Sequence, residues 1–206
     1  SQAISIFLVD LPNTAIKCNS IPKHGINYVK TYELGIHDLR VPKESLLGQK
    51  DFGWYHILAT LNPERIMGAT GAIGCAKSAI NAAAKYAGQR VIFGKPIGTN
   101  QGIQHPLAEN WMELEAAWLM CVKAAELFDA EQPCGAEANA SKFLGAKAGY
   151  NAAVQAVMTH GGMGYAKEYH VERLMREVMI TRIAPVSEQL ISSFIAERVL
   201  GLPKSY

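Results

Sequence analysis

The sequence predicts a mainly α protein, an up-down helical bundle preceded by a few strands of an incomplete β-domain. After Gly53 alanine becomes abundant and apolar residues recur at spacings of three and four over long windows. The β-branched and aromatic runs are confined to the first fifty residues. Gly and Pro clusters then bound windows long enough for three extended helices. At 206 residues, 49% hydrophobic and 18% charged, the composition excludes disorder and collagen-like structure. No apolar stretch approaches the roughly 20 residues a membrane span needs, so a soluble protein is expected. Net charge is +2 from 20 basic and 18 acidic residues with no Lys/Arg run, which leaves no electrostatic footprint for nucleic acid or a membrane surface.

Residues 4 to 9 (ISIFLV) read as a short strand stopped by Asp-Leu-Pro-Asn, and two to four strands fit residues 26 to 41. So few strands cannot bury their own faces. Residues 1–50 therefore read as the end of a β-domain, and 51–206 as the helical bundle. The start at Ser1-Gln2-Ala3, without an initiating Met, adds the expectation of a piece of something longer. The first long helix starts with Asn62 as N-cap and Pro63 at the first helical position, and ends near Gly88. The amphipathic stretch Trp54–Leu61 either stands before it or joins it through a kink at Pro63. A second helix runs from about Gln101 to Ala130, with Pro106 kinking its first turns. A third covers Glu137 to Met158 and stops before Gly161-Gly162-Met163-Gly164. Two shorter ones, Glu168 to Ile180 and Ser187 to Leu200, follow, the last capped by Gly201 and stopped by Pro203.

Local motifs exclude several chemistries. Cys18, Cys75, Cys121 and Cys134 form no CxxC or Cys/His ligand spacing, so no metal site is expected and a reduced compartment is. HExxH and GxSxG are absent. Gly68, Gly71 and Gly74 make a strip without side chains on one helix, which by itself is ordinary close helix packing.

Four segments carry more. Val41-Pro42 leads to Leu46-Leu47-Gly48 and Gly53. Arg90-Val91-Ile92-Phe93-Gly94-Lys95-Pro96-Ile97 is followed by Gln101. His160-Gly161-Gly162-Met163-Gly164-Tyr165 leads to Val171-Glu172-Arg173-Leu174-Met175-Arg176-Glu177. Ile195-Ala196-Glu197-Arg198 lies in the terminal helix. In order and spacing these resemble the acyl-CoA dehydrogenase family, flavoproteins that desaturate acyl thioesters between the α and β carbons. The resemblance runs from about residue 4 to 203, and it implies that the chain corresponds to roughly the second half of such an enzyme.

By that resemblance FAD is the cofactor, held partly across a subunit boundary. Arg90 would meet the pyrophosphate with its fixed, always-ionised fork. Phe93 would lie against the adenine side and Gln101 would bond in the adenine region. Gly161 and Gly162 would let the dinucleotide approach bare backbone. Many members carry a Gln where this chain has Met158. Ser187 and Gln189 match positions that hydrogen-bond the flavin, although Ser187 alone reads as a helix cap.

The family's chemistry needs a carboxylate to take the substrate α-proton while the β-hydride passes to flavin. Most members carry it in an E-G-T-[SN] run before the final helix. The matching stretch here, Ala184-Pro185-Val186-Ser187, carries no carboxylate, and neither alanine nor proline can take a proton. An isovaleryl-type and long-chain-type branch instead carries its Glu in L-x-x-E-R at the start of the first bundle helix, and this chain has Leu61-Asn62-Pro63-Glu64-Arg65 there. Glu64 is the expected base, and Glu188 is the rival. A first-turn Glu is also favoured by the helix dipole alone, and that dipole would lower its pKa. Arg65 would pair near or shape the CoA side of the pocket, and Gly68 with Gly71 would leave room for the acyl chain.

The expected activity is therefore FAD-dependent acyl-CoA dehydrogenation, with acyl-CoA as substrate and an electron-transfer flavoprotein as acceptor. An acyl-CoA oxidase or flavin monooxygenase-like relative, and a non-catalytic assembly module, are the alternatives. The fragment alone is expected to be inactive and to form a homo-oligomer, dimer or tetramer. The expected location is the cytoplasm, or the mitochondrial matrix in a eukaryote.

Overall fold

Alternate spacings of three and four run down the first helix through Ile66, Ala69, Ile73, Ala76, Ile80, Ala83 and Ala87, and every one of these side chains is buried. That seam, facing similar seams on two further helices, organises the bundle. The computed structural model describes residues 4–205, so the Ser1-Gln2-Ala3 start lies outside the described residues. The chain divides into two compact units, 1–61 and 62–206.

In the first unit, strand β1 (Ile6–Phe7) pairs antiparallel with β4 (Leu46–Leu47), and β2 (Ile16–Ser20) with β3 (Tyr32–Ile36). Residues 26 to 41 thus hold one strand, not two to four. Its partner is the segment IKCNS, whose polar half hid it from a reading by hydrophobic alternation. Only Ile6–Phe7 of the expected 4–9 strand pairs as a named strand, and Ile4 bridges to Phe52.

Helix α1 spans Gly53–Gln89 with Pro63 inside it. Asn62 and Pro63 therefore do not start a helix. Proline forfeits one backbone donor, and the flanking turns carry the helix through. A β-hairpin of β5 (Val91–Ile92) and β6 (Lys95–Pro96) leads to α2 (Gln101–Asp129), in which Pro106 is likewise absorbed. Helix α3 (Gly135–His160) starts two residues before Glu137 and ends two after Met158. A 3-10 turn over Lys167–Tyr169 and left-handed His170 (φ 60°) delay α4 to Val171–Met179. The last helix, α5 (Glu188–Arg198), is capped by Ser187, whose Oγ accepts from the Leu190 N–H at 3.3 Å. Gly201 follows in the left-handed region, φ +69°, as expected of a C-terminal cap.

Three clusters of buried side chains show how the second unit runs. Ile66 of α1 meets Ala124 of α2 and Ala138 of α3 at one end. Ala69, Ile73, Ala76 and Ile80 pack with Leu114, Ala117, Cys121, Ala148 and Ala152 in the middle. Ala79 and Ala83 meet Ala153, Ala156 and Val171 towards the other end. Helices α1 and α3 are thus parallel, with α2 antiparallel to both. A Cβ on Gly145 would stand 3.1 Å from Ala69 Cβ, and one on Gly149 3.1 Å from Ala72 O, so α1 and α3 touch nearly backbone to backbone. Helix α4 and the segment after it descend along α3, and Phe194 of α5 reaches Gly135 at the lower end. Among the described residues no helix is long and apolar enough to cross a membrane.

Candidate functional site

At the upper end of the second unit α1 finishes, α2 starts and α3 finishes. Ile97 N–H donates to Arg90 O at 2.8 Å, which closes the hairpin base beside the last turn of α1. The two-residue hairpin turn places Phe93 (φ 53°) and Gly94 (φ 79°) in the left-handed region, the pattern a tight hairpin requires. The Phe93 ring is fully exposed, and the Arg90 guanidinium has no ion-pair partner among the described residues. Gln101 is the exposed first residue of α2. Next to them lies a cleft of about 420 Å³, lined by Ala84, Gly88, Gly98, Ile103 and Leu107 among others.

Beneath this end the His160 ring stacks on Tyr86 at 4.3 Å between centroids and meets the edge of Tyr169. Its Nδ1 lies 2.8 Å from Ala156 O. That anchor fixes the residue immediately before Gly161 (φ +59°) and Gly162, where a Cβ would meet nothing within 4 Å. The upper end therefore presents a free guanidinium, an exposed ring, an amide and bare backbone. Those groups fit a ligand with phosphates and a flat ring system. Met158, one turn back, is exposed and supplies no polar contact.

Near the other end stand Glu64, Arg65, Ser187 and Gln189. Glu64 is exposed and lies well inside α1, not in a first turn as expected. It has no hydrogen-bond or ion-pair partner among the described residues. Arg65 Nη1 donates to Asn62 Oδ1 at 3.3 Å, while its Nε is buried without a partner. Burial pulls the Arg65 pKa down from its ordinary value, and neighbouring Glu64 opposes that shift. Gly68 and Gly71 are open beside them, with no neighbour within 4 Å of a Cβ.

Glu188 is held in a two-point ion pair, with Arg182 Nε to Oε1 at 2.6 Å and Nη2 to Oε2 at 2.7 Å. These bonds hold its pKa below the usual carboxylate value despite opposing desolvation. A carboxylate so committed is a poor proton acceptor. The pair's contribution to stability is present at neutral pH and is lost as pH falls through the depressed pKa of Glu188. Glu188→Gln is expected to lower the thermal midpoint at neutral pH, and thermal melts at descending pH should show the gap to wild type closing.

Lys142, on α3, gives no signal in the sequence. It is 1% exposed, and its Nζ donates to Val186 O at 2.5 Å. Desolvation lowers its pKa, Glu188 raises it, and Arg182 and Arg65 lower it further. Lys142 thus ties α3 to the 183–189 segment.

The structure divides the expected site residues into two sets. Arg90, Phe93, Gln101, Gly161 and Gly162 share the upper end. Glu64, Arg65, Gly68, Ser187 and Gln189 lie towards the lower. From Lys142 to Gly161 the rise along α3 is roughly 28 Å.

The family model described as acyl-CoA dehydrogenase, C-terminal domain, matches residues 51–200. The chain is 38% identical over 204 residues to acyl-CoA dehydrogenase fadE12 of Mycobacterium bovis, covering 98% of this chain and 53% of that protein. It is 34% identical over 203 residues to the caffeyl-CoA reductase-Etf complex subunit CarC of Acetobacterium woodii, covering 96% and 54%. Among solved structures, the glutaryl-coenzyme A dehydrogenase glutaryl-CoA complex superimposes with a TM-score of 0.93 at 32% identity, over 99% of this chain and 52% of that one. The chain spans about half the length of the curated relatives it matches.

Proposed function

The chain belongs to the acyl-CoA dehydrogenase family, and from that we propose that it supplies the bundle of an FAD-dependent enzyme that desaturates an acyl-CoA thioester between its α and β carbons. In this reading residues 1–50 end the middle β-domain, and 51–206 form the helical domain that carries cofactor and base. The observation that carries the reading is the two-ended arrangement. Arg90, Phe93, Gln101, Gly161 and Gly162 share one end of the bundle, which suits a pyrophosphate and adenine, and Glu64, Ser187 and Gln189 lie towards the other, which suits flavin and substrate. In this reading each cofactor takes Arg90, Phe93, Gln101, Gly161 and Gly162 from one copy and Ser187 and Gln189 from another, because the two sets stand towards opposite ends of the bundle. Such a site is incomplete without a second copy, which makes a homo-oligomer part of the function.

Arg90 forks onto phosphate oxygens, and the bare backbone at Gly161-Gly162 lets the dinucleotide lie close. Bound FAD supplies the hydride acceptor. Glu64 takes the α-proton of the thioester; its carboxylate is unpaired, whereas Glu188 is tied to Arg182. The acyl chain lies along α1 over Gly68 and Gly71, where no side chain blocks it. An electron-transfer flavoprotein is the electron acceptor, a reading supported by the relative named as a subunit of an Etf complex.

Anaerobic addition of a panel of acyl-CoA thioesters to the FAD-loaded full-length protein tests this. Bleaching of the oxidised flavin band by at least one member is expected, with the 2-enoyl-CoA as product. Absence of bleaching across straight and branched chains would refute the reading. Oxygen consumption in place of dye reduction would assign the protein to the oxidases.

A further inference from the structure

The segment 183–187 has no regular secondary structure, yet it leads directly into the residues on which the proposed flavin contact depends. Two devices hold it. The Arg182–Glu188 pair joins its two flanks, six residues apart. Lys142 reaches its far end from α3 and donates to the carbonyl of Val186, the residue before the α5 cap. A lysine that is 1% exposed is an expensive way to fill a helix interface lined by alanine and glycine. One turn along α3 from it, Gly145 and Ala69 bring the backbones of α3 and α1 together. The ammonium is spent on one backbone carbonyl 44 residues away, not on a carboxylate within direct contact.

We propose that Lys142 is a positioning residue, whose bond to the Val186 carbonyl sets the register of Ser187 and Gln189 at the start of α5 and so their place against the flavin. The role rests on the flavoenzyme reading for its consequence, but not for its geometry. Ser187 already has two local duties, since its Oγ accepts from Leu190 N–H and its carbonyl from Ile191 N–H at 3.1 Å. Those two amides therefore report whether the cap is in place.

The test is Lys142→Met in the full-length protein, which keeps the apolar stem and removes the donor. Lys142→Gln, which keeps a shorter donor, serves if the Met variant does not fold. Hydrogen exchange at Leu190 and Ile191 is expected to accelerate about tenfold or more, with the amides of the α1–α3 core unchanged. FAD dissociation should rise by a similar factor. Unchanged exchange at those two amides overturns the proposal, and so does equal acceleration throughout α3, the mark of a general packing role. Local loosening without loss of FAD affinity overturns it as well. If the wild-type protein itself fails to bind FAD, the flavoenzyme reading fails, while exchange at Leu190 and Ile191 still decides whether Lys142 holds the cap.

Discussion

Glu64→Gln in the FAD-loaded full-length protein is expected to slow flavin bleaching by acyl-CoA on the order of 10²–10⁴-fold, the usual contribution of a positioned general base. The amide is nearly isosteric, so FAD content and substrate affinity should stay close to wild type. The loss belongs in the chemical step and not in KM. Glu188→Gln should leave bleaching within about tenfold, a change of about 1.4 kcal/mol in the barrier. Glu188 already receives two short bonds from Arg182. Removing its charge loosens the clamp on the 183–187 segment without removing a base. Stopped-flow absorbance under anaerobic conditions separates the two variants. Near-normal bleaching by Glu64→Gln together with collapse in Glu188→Gln would reverse the assignment.

Arg90→Ala is expected to weaken FAD binding by roughly 10- to 150-fold, the equivalent of the 1.5–3 kcal/mol that hydrogen bonds to a charged group contribute. The hairpin itself should survive, because its pairing uses the backbone of Val91, Ile92, Lys95 and Pro96, and its base uses the Arg90 carbonyl, not the guanidinium. Isothermal titration of the apoprotein with FAD measures the effect. A change under threefold would show that the guanidinium does not meet the cofactor.

The bundle was legible because its helices are long and their apolar positions repeat at three and four, from Ile66 to Ala87 without a break. The cap at Ser187 and the stop at Gly201 were legible because each is a local device that needs no partner. What escaped depends on neighbours far along the chain. Pro63 reads locally as a helix start, yet α1 runs through it with apolar and alanine turns on both sides. Strand β2 is polar along most of its length and exists through its pairing with β3. Lys142 looks like any surface lysine, and only the fold that buries it against the 183–187 segment makes it a buried donor. A site shared across a subunit boundary was implied by the family resemblance alone and not by the residues themselves. In sequence the candidate residues run 64, 90, 101, 161, 187 in one series, and only the alternation of helix direction sends them to two ends.

That division can be tested by subunit complementation. Full-length Arg90→Ala protein is mixed with full-length Ser187→Ala/Gln189→Ala protein, the two are dissociated and reassociated, and tightly bound FAD is counted. Each parent alone should hold FAD weakly. The mixture should regain wild-type affinity at about a quarter of its sites, since half of randomly paired dimers are mixed and each mixed dimer holds one site free of substitution. No recovery of tight sites, in a mixture shown to exchange subunits, would mean that both half-sites serve the same FAD within one chain and would contradict the account.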